Sequence, residues 1–420
     1  MTKSYVSGDR RIEDIIEYMK KKLKVLLVSS ASMNPPYSEV TGLKAVYDLQ
    51  KQLSGDVDIH VLNLVEKKEL AELQNWSEAE HERTGLIFHL HPVGALARIW
   101  GLGTVFLHLK LLMTAIWLMR RERVDIVHEY SSMPLFFRKA FLYKLFCRKV
   151  KVFHTLMVNN TSPLASPRYG ARGGHTDLII CPSEYLYKQL QKNHYRGSTL
   201  RKIPFGVRPD KFNQERDVPA LKKSQGIVWH KKVVLYIGLL DKRKGADVFL
   251  RSIPELIKVL PDTVFVFISS PVHNGILYRH DAAKKEFQEL LDLAGRDMIF
   301  LEGRQDIPAF MKIADVFVYP IATMHGILSL PLTLLEAIIS AKAIVTTNIA
   351  PMSDIFQDGE NAFLINPNDY QACSRAIARI LHEPSLANKF SENVKNLGQE
   401  YDLSTSAARL LGEYNNIIGL

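Results

Sequence analysis

Five side chains stand where alternating strands and helices could put them to chemical use. Lys244, with Gly245 behind it, follows the apolar run KKVVLYIGLL in the segment DKRKG, so an ammonium group occupies a loop beyond a strand. Such a cation can offset negative charge that grows on a leaving group. Lys242 and Arg243 adjoin it, and a solvated basic turn is the competing assignment. Glu336 lies in LPLTLLEAI, where a strand-to-helix connection opens a helix that runs on through Ile338 and Ile339. A carboxylate has two acceptor oxygens and can take both hydroxyl protons of a cis-diol. A helical glutamate that only faces water is the alternative. His128 and Tyr130 follow the VDIV run and His154 ends KVFH, which puts three more groups at strand ends, where a satisfied structural histidine competes.

The elements that must position these groups are legible as short apolar runs. KVLLVSS, DIHVLNL, VDIVHEY, KVFHTLM and DLIICPS alternate with helical patterns, the signature of β/α units around a parallel sheet. After a loop at Ile203 to Phe212 the pattern restarts with KKVVLYIGLL, DTVFVFISS, DMIFLEG, ADVFVYP, AIVTTN and AFLINP. A chain of 420 residues exceeds the size at which one core stops growing, so two doubly wound domains are expected. The expected divisions are 1–207, 208–400 and a C-terminal helix over 401–420 that crosses back to the first domain. Neither domain has a G-x-G-x-x-G after a strand, which weakens a dehydrogenase reading. Open α/β sheets bind ligands beyond the carboxyl ends of their strands, so two facing sheets place the site in the cleft between them.

Composition narrows the partners. The residues are 47% hydrophobic and 23% charged, as in an ordinary globular protein, and the formal charge of +10 suits a phosphorylated small molecule or an anionic membrane surface. Nucleic acid is not expected, because no zinc-finger spacing, RNP-like aromatic run or dense basic tail accompanies the charge. Cys147, Cys181 and Cys373 are far apart and odd in number, fitting neither a disulfide framework nor a metal cluster. Asp56 and Asp58 form a DVD triplet at the start of a strand and are read as structural, so no metal site is expected. The first apolar run, Leu23 to Val28, is too short and too late for a secretory signal, which points to a cytoplasmic location. Arg11 to Leu23 has the spacing of an amphipathic helix, and Ile99 to Met119 is the most apolar stretch in the chain. With His108 and Lys110 inside it, that stretch reads as a buried or membrane-touching helix rather than a span.

From Tyr236 to Pro384 the sequence resembles the retaining glycosyltransferases of family 4, the group 1 glycosyltransferases. The resemblance rests on IPFGVRPDKF at the domain junction, YIGLLDKRKGADVFL, FLEGRQDIPAFMKIADVFVYP, LPLTLLEA and DIFQDGENAFLI. It implies the GT-B fold, two Rossmann-like domains facing each other across a cleft, with the acceptor on the N-terminal side and a nucleoside-diphosphate sugar on the C-terminal side. It implies that Glu336 binds the donor ribose, that Lys244 contacts the diphosphate, and that His128, Tyr130 and His154 lie near the sugar and acceptor. No cofactor is implied beyond the nucleotide sugar as co-substrate, and the transfer is metal-independent. Backbone amides from Gly326 to Leu330 would assist at the phosphate.

Three positions depart from the family pattern. Leu328 stands where the E-x7-E motif has its first carboxylate, Leu239 follows Gly238 where the family has arginine, and PPYSEVTGL keeps only Gly42 of the glycine-rich N-terminal loop. Arg243 or Arg304 would have to supply the missing cation. The expected function is transfer of a sugar to a glycan, small-molecule or lipid-linked acceptor, in the cytoplasm or at the cytosolic face of a membrane; Arg120, Arg121 and Arg123 add to the basic features there. The alternatives are a catalytically impaired binding or scaffold subunit and, last, a sugar-nucleotide epimerase.

Overall fold

The computed structural model describes residues 22–29, 41–93, 102–131, 136–157, 175–192, 199–269, 280–295, 298–303, 305–325 and 327–419. The expected helix at Arg11 to Leu23 falls almost wholly outside them, as do Arg304 and Gly326. Seven strands form the first sheet: β1 (Leu23–Ser29), β2 (Val57–Glu66), β3 (Ile87–Val93), β4 (Ile126–Ser131), β5 (Lys151–Leu156), β6 (Leu178–Cys181) and β7 (Thr199–Lys202), in the order β3-β2-β1-β4-β5-β6-β7. Six form the second: β8 (Lys232–Ile237), β9 (Thr263–Ser269), β10 (Met298–Glu302), β11 (Val316–Tyr319), β12 (Ala343–Thr347) and β13 (Phe363–Ile365), in the order β10-β9-β8-β11-β12-β13. The described ladders within both sheets are parallel, as two doubly wound domains require.

Central strands such as VVLYI of β8 and VFVY of β11 are fully buried, which is why they read as unbroken apolar runs. The edge strands β3 (IFHLHPV) and β7 (TLRK) did not stand out in the sequence. Every residue of β3 is only half-buried and β7 is largely exposed, so neither needs an apolar run. Strand order reverses between β1 and β4 in one sheet and between β8 and β11 in the other. Those two reversals are where an open α/β sheet leaves a crevice for a ligand.

The two sheets are joined where the chain leaves the first domain and where it returns. Val207 N–H donates to the Tyr401 carbonyl at 2.9 Å, and Leu403 N–H donates to the Val207 carbonyl at 3.0 Å. A Cβ on Gly206 would overlap the Leu403 Cα, so only glycine lets the two backbones approach this closely. The Leu403–Ile418 helix begins at Asp402, whose carboxylate accepts from the Ser404 N–H at 2.7 Å, and it packs on the Thr41–Leu53 helix of the first domain. One continuous apolar cluster therefore runs from Val25 and Leu27 of β1 through Val207 and Phe212 to Leu334, Leu335 and Tyr414.

The apolar stretch at Ile99 to Met119 is a helix over Leu102–Arg121; residues 94–101 lie outside the described set. Leu111, Ala115, Leu118 and Met119 pack it against the face of the first sheet. Among the described residues no helix is long and apolar enough to cross a membrane.

Replacing Gly206 by alanine should separate the Val207 and Leu403 backbones. We expect a loss of roughly 1–3 kcal/mol in chemical denaturation and faster proteolysis of the C-terminal helix; unchanged stability would show that the crossing does not hold the domains together.

Candidate functional site

Lys244 closes a single 3-10 turn (Lys242–Lys244) that follows β8. Asp241 opens the turn by accepting from the Arg243 N–H at 2.8 Å, and Gly245 ends it in the left-handed region at φ 75°. A Cβ on Gly245 would overlap the Pro320 carbonyl oxygen, so glycine is what allows the turn to lie directly on the end of β11. The Lys244 ammonium consequently stands 3.3 Å from the Tyr319 hydroxyl, at the β8/β11 reversal of the second sheet. Burial pushes its pKa down to about 8; Asp241 opposes the fall and Arg243 adds to it. A partly desolvated cation at a strand-order reversal is what a phosphate-bearing ligand requires there.

Glu336 sits in the second turn of the Leu332–Ile339 helix, the helix that follows β11, so Lys244 and Glu336 belong to loops and helices at the same edge of two neighbouring strands. Leu334, Leu335, Ala337, Ile338 and Ile339 around it are buried, which leaves Glu336 as the charged break in a largely apolar helix. Burial raises its pKa to about 7, against the pull of Lys44 and Lys211, with Asp48 adding to the rise. These three charges belong to the Thr41–Leu53 helix and the segment after Val207, so the carboxylate faces the junction of the two domains. Lys44 is itself paired with Asp48 at 2.8 Å. Sequence reading missed this group of charges. The i,i+4 spacing of Lys44 and Asp48 predicts their pairing, but only the return of the chain brings Glu336 opposite them.

Other expected contributors are placed differently. Arg243 is folded onto its own turn, with Nε donating to both Asp241 oxygens and Nη2 donating to Oδ2 at 2.6 Å. It caps the loop that presents Lys244 and is not an unengaged substitute for the missing family arginine. Of the amides from Gly326 to Leu330, Ile327 donates to the Met324 carbonyl at 3.2 Å and Ser329 donates across the domain boundary to the Met157 carbonyl at 2.8 Å. Those two amides are spent on structure rather than on a phosphate. Leu330 is buried, and with Ser183, Lys202 and Tyr401 it lines a cavity of about 250 Å³ that neither Lys244 nor Glu336 borders. Gly42 lies in the first turn of the Thr41–Leu53 helix. Leu328 packs against the core, and the Leu239 carbonyl accepts from the Asp241 N–H at 2.9 Å and from the Tyr236 hydroxyl at 3.3 Å.

His128, Tyr130 and His154 were expected beyond strand ends, and the structure corrects this. β4 continues to Ser131 and β5 to Leu156, so all three lie within strands. Side chains alternate along a strand, which turns His128 and Tyr130 to one face and Glu129 to the other. His128 is fully buried, with Nδ1 2.7 Å from the Tyr414 hydroxyl and Nε2 2.7 Å from the Thr155 hydroxyl, and its ring stacks on Tyr130. Gln50 Nε2 donates to the Tyr130 hydroxyl at 2.6 Å. Burial keeps His128 well below the ordinary histidine range and raises Tyr130 above that of tyrosine. This network ties the C-terminal helix to the first domain. On the opposite face His154 Nε2 is 3.3 Å from Glu129, which also accepts from the Tyr143 hydroxyl at 2.6 Å; burial lowers His154 to about 4.

The models for glycosyl transferases group 1 and for Glycosyltransferase Family 4 match residues 217–397 and 44–211. The chain belongs to the group 1 glycosyltransferases. This glycosyltransferase is 24% identical over 231 residues to the GDP-mannose-dependent alpha-(1-6)-phosphatidylinositol monomannoside mannosyltransferase of Mycolicibacterium smegmatis, a match covering 54% of the chain and 58% of that relative. It is 26% identical over 309 residues to the UDP-Gal:alpha-D-GlcNAc-diphosphoundecaprenol alpha-1,3-galactosyltransferase of Escherichia coli, covering 69% of the chain and 74% of the relative. The structure of a glycosyltransferase from Rickettsia africae superposes with a TM-score of 0.74 over 95% of this chain and 99% of that one, at 16% identity, which establishes the shared GT-B fold.

Two measurements check the site's physics. The folded protein holds Glu336 above its ordinary pKa, so this contribution to stability is present at acid pH and is lost as the pH rises from 4.5 through about 7. Relative to Glu336→Gln, the wild type should lose on the order of 1–2 kcal/mol over that range, since the group is partly exposed; parallel stability curves would show that the carboxyl is fully solvated. Tyr414→Phe should cost about 1–3 kcal/mol by leaving a buried His128 nitrogen without its partner, with little change in nucleotide affinity by calorimetry.

Proposed function

We propose that the protein transfers a hexosyl group, with retention and without a metal ion, from a nucleoside-diphosphate sugar to a lipid-linked acceptor held by the N-terminal domain. The observation that carries this reading is the partly desolvated Lys244 ammonium at the β8/β11 reversal, with Glu336 on the helix that follows β11. The ammonium offsets the negative charge that develops on the departing diphosphate, and the Glu336 carboxylate accepts from the two ribose hydroxyls. Its raised pKa means that ionisation, and with it full acceptor capacity, is reached only near neutral pH. Catalysis then consists of positioning and leaving-group stabilisation in a cleft that domain closure dries, and no cofactor is required beyond the donor itself. The mannosyltransferase and galactosyltransferase relatives, named for a phosphatidylinositol monomannoside and a GlcNAc-diphosphoundecaprenol acceptor, support this acceptor class, and a lipid-linked acceptor would be met at a membrane surface.

A second reading, a binding subunit that has lost transfer, is favoured by one observation. Leu328 puts an apolar side chain against the core where the family has its first carboxylate, and Ser329 beside it is bonded to the other domain.

Nucleotide release from a panel of nucleotide sugars separates the two. Lys244→Met should lower turnover by roughly 10²–10³-fold, and Glu336→Ala should weaken donor binding roughly 10–100-fold. Donor binding with no release for every acceptor tested would select the second reading. The anomeric configuration of the product, read by NMR, decides retention.

A further inference from the structure

The N-terminal domain turns large apolar side chains outward from two adjoining helices. On Leu102–Arg121 these include Val105, Leu109, Met113 and Trp117, with Val105 68% and Met113 64% exposed. On Phe136–Phe146 they are Phe141, Leu145 and Phe146, each close to half exposed. The other side of the first helix is already buried on the sheet through Leu111, Ala115 and Leu118. A helix with large apolar side chains on its outward face as well as its packed face calls for apolar surroundings on both sides, and an outward patch of this kind marks an interaction surface. Because one face is packed on the sheet, the helix lies along whatever covers it and does not cross it.

Charge identifies the covering partner. Neither helix contains an aspartate or a glutamate. Arg121 lies over the Trp117 ring at 4.8 Å, Arg120 over the Phe146 ring at 5.8 Å, and Arg148 and Lys149 are exposed just past the second helix. Lys110 turns aside to donate to the Pro92 carbonyl, which takes its charge out of the apolar arc. Arginines laid over aromatic rings at the margin of an apolar patch match the boundary between acyl chains and anionic headgroups, whereas a basic rim repels a second copy of itself. We propose that this two-helix face docks the protein on an anionic lipid bilayer. The inference rests on the lipid-linked acceptor reading only for its purpose, which is to hold the acceptor half of the cleft at the membrane surface.

The test is sedimentation of the full chain with vesicles of phosphatidylcholine, alone or mixed with phosphatidylglycerol. Pelleting is expected with the anionic vesicles and should weaken as salt is raised. A combined Leu109→Gln, Met113→Gln and Leu145→Gln variant changes only exposed positions, and it should reduce the bound fraction roughly tenfold while donor affinity stays unchanged. Arg148→Glu with Lys149→Glu should reduce binding and flatten its salt dependence. Recovery of the wild type in the supernatant with anionic vesicles, or equal pelleting of wild type and triple variant, overturns the proposal. So does lipid-free self-association abolished by the triple variant in a protein that ignores vesicles, which would assign the face to a second copy. Glu336→Ala should pellet like the wild type, so loss of transfer and loss of docking are scored separately.

Discussion

The backbone crossing of Val207 and Leu403 is the constraint on which the arrangement of the two sheets depends. Two hydrogen bonds and a glycine without a Cβ fix the exit of one domain against the return of the other. From that crossing the Leu403–Ile418 helix reaches Tyr414 to His128, and the first core runs unbroken into the second domain. Glu336 owes its surroundings to the same feature, since Lys44 and Lys211 stand opposite it only because the chain folds back there.

Polar groups in this protein divide by their depth. His128, Tyr130, Thr155, Gln50 and Tyr414 are buried and joined by hydrogen bonds, and they behave as structure, because those bonds offset the cost of burying polar groups. Lys244 and Glu336 keep part of their surface exposed, and burial of the rest opposes the charge on each. Groups that fold against their own solvation are the ones whose charge a ligand can complete. The apolar helices on the face of the first sheet carry the same contrast in reverse, with Val105 and Met113 left in water.

Much of the fold was legible because parallel sheets covered on both faces need strands that are apolar throughout, as VVLYI and VFVY are. Edge strands escape that rule, and IFHLHPV and TLRK were not recognised for this reason. Lys244 was legible because Gly245 and the preceding strand announce a tight turn. His128 and His154 misled because a strand's last residue cannot be fixed from the sequence, and extending β4 to Ser131 and β5 to Leu156 moves both inside the sheet.

The sequence by itself determined the two parallel sheets, the turn that presents Lys244 and the apolar character of the Leu102–Arg121 helix, because these follow from local periodicity and from glycine at positions where a side chain would collide. Only the tertiary structure decided that Arg243 is spent on Asp241, that Ser329 bonds the opposite domain, and that Glu336 faces Lys44 and Lys211. Those pairings join residues distant in the chain or turn on a side chain's rotamer, and neither leaves a repeat or a spacing in the sequence.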